Sequence, residues 1–188
     1  MSAYGDRVPG WISKPEMEFV AEQMHAFGVT GKILEIGSAC GRLFDYLYEQ
    51  LPYWKYTAVD PWENQTDACR LYIDWSGPYE EHNLGEVITR QMFLENCPFA
   101  KAHQYFFEEW KTAEKFDVIN IGCGSSTIDF YVIYEKAKQL LQPNGAIIAT
   151  NVNHKKYNYD FKSVITKNNL RIEETRWCGN RCSCLVKE

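Results

Sequence analysis

Short apolar segments typical of buried strands alternate with amphipathic segments typical of helices along most of this chain. The clearest unit is ILEIGSACGRLFDYL at residues 33–47, where a strand, a glycine-bounded turn and a helix follow one another. Because strands joined through helices lie parallel with right-handed crossovers, the alternation predicts an α/β protein with a mostly parallel sheet. Strands are predicted at 32–37, 55–60, 101–106, 116–122, 145–151 and 170–177, and helices at 15–27, 42–51, 84–96, 127–141 and near 158–168.

The C-terminal end departs from this alternation. After the strand at 170–177, the segment RCSCLVKE at 181–188 reads as another strand with only a short turn before it. A turn of that length joins antiparallel strands, because parallel strands need a longer crossover. We therefore expect an antiparallel strand at the C-terminal end of the sheet.

The turn EIGSACG at residues 35–41 restricts the ligand that this end of the sheet can bind. A dinucleotide site needs G-x-G-x-x-G, whose middle glycine lets a pyrophosphate approach bare backbone, and Ala39 stands in that place. Glu35 would repel a pyrophosphate, but it can accept hydrogen bonds from an ammonium group or a ribose. No G-K-[ST] follows the turn, which excludes a P-loop. The turn therefore favours a ligand without phosphates.

A second acid, Asp60, ends the strand at 55–60, about 20 residues beyond the turn. A carboxylate at that position of an α/β sheet can accept hydrogen bonds from both ribose hydroxyls. With Glu35 on the preceding strand, it predicts a nucleoside pocket. The alternative is that either acid only caps a helix or forms a salt bridge.

Composition excludes several classes of function. The 188 residues carry a net charge of −5 and are 45% hydrophobic, which fits one folded domain. Duplex nucleic acid is not expected as a partner of an acidic chain without a basic stripe. No apolar stretch approaches the roughly 20 residues of a membrane helix, and the first residues lack the pattern of a signal peptide.

The seven cysteines indicate reduced thiols and a cytoplasmic protein, because their number is odd and no secretory signal is seen. Cys178, Cys182 and Cys184 lie close together, but zinc usually takes four ligands. A C-terminal hairpin explains their spacing without a metal.

At these motifs the chain resembles the class I S-adenosylmethionine (SAM)-dependent methyltransferases. The segments that carry the resemblance, over residues 8 to about 150, are EIGSACG, AVDPW, FDVINIG, LLQPNGAII and VPGWIS, the last being similar to the entry segment of a small-molecule O-methyltransferase branch. The resemblance implies a Rossmann-like, doubly wound, seven-stranded sheet with helices on both faces. It also implies a single domain over 1–188, in which 61–83 could form a lid.

The resemblance also implies which residues bind the cofactor SAM. Those residues are Glu35, Gly37, Ser38, Ala39 and Gly41 for the methionine part, Asp60 for the ribose, Pro61, Trp62, Phe107 and Glu108 for the adenine, and Gly122 at the next strand end. Trp62 could equally be an ordinary core aromatic.

No metal site is predicted. Relatives that use a metal carry acids after the fourth and fifth strands, where this chain has GCGS at 122–125 and Thr150–Asn151. Hard divalent cations need carboxylate oxygens, which these positions do not offer.

The predicted reaction is direct transfer of a methyl group to an oxygen or nitrogen of a small-molecule acceptor. Orientation contributes most of the catalysis, and a base helps only where the acceptor must lose a proton. Candidate bases are His154, His82 and Glu108. Two alternatives stay open: a SAM-binding domain that does not transfer, and, less favoured by the turn, a nicotinamide-dependent oxidoreductase. A homodimer also stays open.

Overall fold

The computed structural model describes residues 8, 10, 12–62, 88–123, 127–152, 166, 168–178 and 181–187. Four helices lie in these ranges: α1 (Lys14–Phe27), α2 (Arg42–Gln50), α3 (Arg90–Asn96) and α4 (Thr127–Gln139). The strands are β1 (Lys32–Ile36), β2 (Lys55–Asp60), β3 (Lys101–Gln104), β4 (Phe116–Ile121), β5 (Leu141–Val152), β6 (Arg171–Cys178) and β7 (Arg181–Lys187).

These strands form one sheet in the order β3-β2-β1-β4-β5-β7-β6. The pairs from β3 to β5 are parallel, and β7 lies antiparallel between β5 and β6. The chain moves outward from β1 to β3 and then returns to β4 on the other side of β1. The predicted α/β class, the mostly parallel sheet and the antiparallel C-terminal strand are confirmed.

Two hydrophobic clusters cover the two faces of the sheet. Side chains of a strand alternate between faces, and in β5 Ile148 belongs to the cluster with α1, α2 and α3 whereas Ile147 belongs to the cluster with α4. The same alternation separates Ile33 from Leu34 in β1. Helices therefore lie on both faces, as expected.

Local signals set the element boundaries. Ser13 precedes α1, and its backbone N–H and hydroxyl both donate to the Glu16 carboxylate, which stabilises the first turn. Of the helix predicted at 84–96, the structure describes residues 88–96, in which α3 begins at Arg90 and the Thr89 hydroxyl caps it by accepting from the Met92 N–H. The strand predicted at 145–151 begins at Leu141, which pairs with Phe116 ahead of a bulge.

Some predicted segments lie outside the described residues. They are the segment proposed as a lid, beyond residue 62, and nearly all of the helix predicted near 158–168. Within the described ranges, none of the helices has the length and apolar character needed to cross a membrane.

Candidate functional site

The candidate site lies at the carboxyl ends of β1, β2 and β4, where the strand order reverses. The backbone joins these ends directly. The Gly37 N–H donates to the Val59 carbonyl at 2.9 Å, and the Gly122 N–H donates to the Ile36 carbonyl at 2.9 Å. The turn that follows β1 is therefore fixed to both neighbouring strands.

Two glycines of this turn are required by its backbone and its surroundings. Gly37 and Gly41 have φ angles of 85° and 88°, which side chains rarely adopt. A Cβ at Gly37 would lie 2.5 Å from the Cβ of Cys123, and one at Gly41 would lie 2.6 Å from the Sγ of Cys97. Ala39 also has a left-handed φ, 46°, a conformation that favours glycine.

Asp60 connects the end of β2 to the turn. Its carboxylate accepts from the Ala39 N–H at 2.9 Å and from the Trp62 N–H at 2.7 Å, and it is 3% exposed. The sequence raised a helix cap or a salt bridge as the alternative role of this acid, and the structural role that these bonds show is instead to hold the backbone of the turn. Each carboxylate oxygen can accept more than one hydrogen bond, so this role is compatible with binding a ribose.

Trp62 lies beneath the turn rather than on its surface. Its side chain is fully buried, its ring centroid is 5.3 Å from that of Phe93, and its indole N–H donates to the Ala39 carbonyl at 2.8 Å. The ring of Trp62 is therefore a core aromatic, which is one of the two roles that the sequence left open. A contact between Trp62 and adenine would have to come from the Trp62 backbone. Pro61, just before it, is half-buried.

Glu35 points to the α1–α2 face at the end of β1 and is 5% exposed. The Asn120 amide on β4 is 3.5 Å from its Oε1, while Glu35 Oε2 and Asn120 Oδ1 are buried with no hydrogen-bond partner. Burial, and to a lesser extent the charge of Asp60, raise the pKa of Glu35 to about 8, although the neighbouring Ser38 hydroxyl and Asn120 amide lower it in part.

Asn120 was not singled out by the sequence analysis. It is fully buried and is the register partner of Glu35. An amide inside the apolar strand FDVINIG is unusual, because a buried polar group costs free energy unless it is paired. The polar residue within this apolar strand was the signal that could have identified Asn120, but the sequence alone does not show that it pairs with Glu35.

The turn after β3 buries Phe107, which the resemblance assigned to an adenine contact, and exposes the two aromatic residues before it. Phe107 is 4% exposed and packs in the cluster on the α4 face, whereas Tyr105 and Phe106 are 52% and 38% exposed. Glu108 is exposed, and its backbone carbonyl accepts from Lys136. The adenine contacts assigned to Phe107 and Glu108 stay predictions, and the structure adds Tyr105 and Phe106 as exposed alternatives.

The remaining predicted site residues divide into two groups. Ser38 is buried, with its hydroxyl donating to the Glu35 carbonyl at 3.3 Å, and Gly122 lies against the Gly37 carbonyl. His82 and His154 lie outside the described residues. Within the described part of the chain, no group of three or more histidine, cysteine or acidic residues could hold a metal ion.

No protein-family model matches the chain, and no curated protein matches it at the level of sequence. Solved structures do match its fold. A ribosomal protein L11 methylase from Lactobacillus delbrueckii subsp. bulgaricus is 11% identical with a TM-score of 0.63, over 96% of this chain and 81% of that one. The N-methyltransferase NodS from Bradyrhizobium japonicum WM9, in complex with S-adenosyl-L-homocysteine (SAH), is 17% identical with a TM-score of 0.58, over 93% and 87%.

The plantazolicin methyltransferase BpumL, in complex with a pentazolic desmethylPZN analog and SAH, is 14% identical with a TM-score of 0.64, over 92% of this chain and 82% of that one. The fold of this chain is therefore the Rossmann-like fold of SAM-dependent methyltransferases, which confirms at the level of the fold the resemblance seen in the motifs. The acceptors in these names differ, so the fold does not identify an acceptor for this chain.

Proposed function

We propose that this protein is a SAM-dependent methyltransferase that methylates an oxygen or nitrogen of a small molecule without a metal. The observation that carries the proposal is the pair of unpartnered acceptor oxygens, Glu35 Oε2 and Asn120 Oδ1, buried beside a glycine turn. Unsatisfied buried acceptors favour a ligand that brings hydrogen-bond donors. The ammonium group of the cofactor's methionine part would supply up to three.

The other predicted residues fit the rest of the cofactor. Asp60, at the end of β2, would accept from the ribose, while Gly37 and Gly41 keep the turn free of side chains that would clash with its neighbours. When bound, SAM supplies a methyl group on a positively charged sulfur, already activated for transfer. The main contribution of this chain to the reaction would be to hold the cofactor and orient the acceptor.

The geometry of the turn disfavours the nicotinamide alternative. The Ala39 N–H donates to Asp60, so it does not point to a phosphate, and Ala39 carries a methyl group where a pyrophosphate would need bare backbone.

Ligand binding tests the cofactor assignment. SAM and SAH should raise the melting temperature and bind in calorimetry, whereas NAD should do neither. Glu35→Gln should weaken SAH binding about tenfold, because it replaces a charged acceptor of the ammonium group by a neutral one. Glu49→Gln, at an exposed position of α2, is the matched control and should bind like the wild type. A protein that binds neither SAM nor SAH would contradict the proposal.

Methyl transfer needs a separate assay. Mass spectrometry with SAM and a metabolite pool should reveal a product that carries one additional methyl group. Variants His154→Asn, His82→Asn and Glu108→Gln would then show which candidate base, if any, the acceptor requires. Binding of SAM without any methylated product, across small-molecule and peptide pools, would instead indicate a non-catalytic SAM-binding domain.

A further inference from the structure

The turn after β3, residues 105–110, lies next to the predicted ribose site. Asp60 and Gln104 are register partners at the ends of β2 and β3. The segments that follow these two residues therefore leave the sheet side by side. The exposed rings of Tyr105 and Phe106 lie at this edge, close in the chain to Gln104.

This turn is closed by backbone hydrogen bonds at its start. The Glu109 and Trp110 N–H groups both donate to the Phe106 carbonyl, at 3.0 and 3.2 Å, and the Trp110 N–H also donates to the Phe107 carbonyl at 3.3 Å, as in a single helical turn. The carbonyls at the end of such a turn resemble those at a helix C-terminus, which accept from donors outside the turn and attract positive charge.

Lys136 on α4 supplies those donors. Its ammonium group donates to the carbonyls of Phe107 at 2.5 Å, Glu108 at 2.9 Å and Trp110 at 2.6 Å. It also lies 4.9 Å from the centroid of the Phe107 ring, within the range of a cation–π contact. An ammonium group has three N–H donors, and three carbonyls of one turn accept them.

We propose that Lys136 is a positioning residue that fixes the turn after β3 so that its exposed aromatic edge receives the adenine of the cofactor. This inference rests on the proposed function. Lys136 lies on a different element from the residues predicted to bind the cofactor, and it acts on the base through the backbone of the turn. Its loss should therefore affect recognition of the base more than recognition of the methionine and ribose parts.

The experiment compares two ligands in isothermal titration calorimetry: SAH, and S-ribosylhomocysteine, which is SAH without the base. Lys136→Met removes the donors and keeps most of the apolar stem. It should weaken SAH binding about tenfold and change S-ribosylhomocysteine binding by less than about twofold, because only SAH uses the turn. Lys111→Met removes an equal charge at an exposed position of the neighbouring segment, and it should bind both ligands like the wild type.

Lys136→Arg provides a second variant in case Lys136→Met does not fold. A planar guanidinium keeps the charge but cannot direct three donors from one atom, so a smaller loss confined to SAH is expected. Unchanged SAH binding, or an equal loss for both ligands, would overturn the inference while leaving the proposed function intact. Failure of the wild-type protein to bind SAH would instead overturn the proposed function and this inference with it.

Discussion

Glu35 is a carboxylic acid held in an apolar environment at the end of a parallel strand, where its partner Asn120 satisfies it only in part. Desolvation disfavours the ionised form, so the residue keeps its proton at pH values where an exposed glutamate has lost it. A ligand ammonium group would favour the ionised form. At the residue scale, a ligand with a positively charged hydrogen-bond donor is therefore the best partner for this carboxyl.

The raised pKa of Glu35 predicts how stability depends on pH. Between the unfolded value of 4.5 and the folded value of about 8, the unfolded chain loses this proton and the folded chain retains it. The contribution of this residue to the free energy of unfolding therefore falls as pH rises, by at most about 1.4 kcal/mol per pH unit, and levels off above about 8. Urea denaturation across that range should show a flatter profile for Glu35→Gln than for the wild type.

The control for this measurement is Glu109→Gln, which removes a carboxyl group at an exposed position and leaves Glu35 in place. Equal slopes for Glu35→Gln and the wild type would show that Glu35 ionises normally in the folded protein.

Ala39 carries local backbone strain. Its φ of 46° is unfavourable for a residue with a Cβ, by roughly 1–2 kcal/mol relative to glycine. Ala39→Gly should therefore increase the free energy of unfolding by about 0.5–1 kcal/mol, after allowance for the greater freedom of glycine in the unfolded chain. Urea denaturation measures this change. Ala21→Gly, in the middle of α1, should do the opposite, and a destabilised Ala39→Gly would refute the strain.

At the scale of elements, the C-terminal end of α3 and Trp62, which follows β2, hold the turn in place. Three consecutive carbonyls of the turn accept from side chains: Ala39 from Trp62, Cys40 from Asn96 at 2.9 Å, and Gly41 from the Cys97 thiol at 3.4 Å. These contacts satisfy three carbonyls of the turn with donors from outside it. The conformation of the turn thus depends on helices and strands distant from it in sequence.

Removing the Asn96 side chain tests this support. Asn96→Ala leaves the partly buried Cys40 carbonyl without that donor, and we expect a loss of about 1–2 kcal/mol in unfolding free energy, measured by urea denaturation. Gln91→Ala on the exposed side of α3 is the matched control, with an expected loss below about 0.5 kcal/mol. Similar losses in the two variants would mean that the Asn96 bond contributes little.

At the scale of the whole molecule, the order of the strands creates the site. β1 lies between β2 and β4 in the sheet. The carboxyl ends of these strands therefore bring Glu35, Asp60 and Asn120 together from segments as much as 85 residues apart. The antiparallel β7 is inserted between β5 and β6, away from these three strand ends. The C-terminal hairpin therefore completes the sheet without contributing to the strand ends that form the site.

The sequence by itself determined the α/β class, most of the strands and helices, and the position of the glycine turn. These features depend on local patterns, such as apolar periodicity and the need for glycine at Gly37 and Gly41. The tertiary structure alone decided that Trp62 supports the turn from the core, that Phe107 is buried beside exposed Tyr105 and Phe106, and that Asn120 meets Glu35. The physical reason is that burial and pairing depend on register between strands and on which face a side chain occupies, and both are set by contacts distant in sequence.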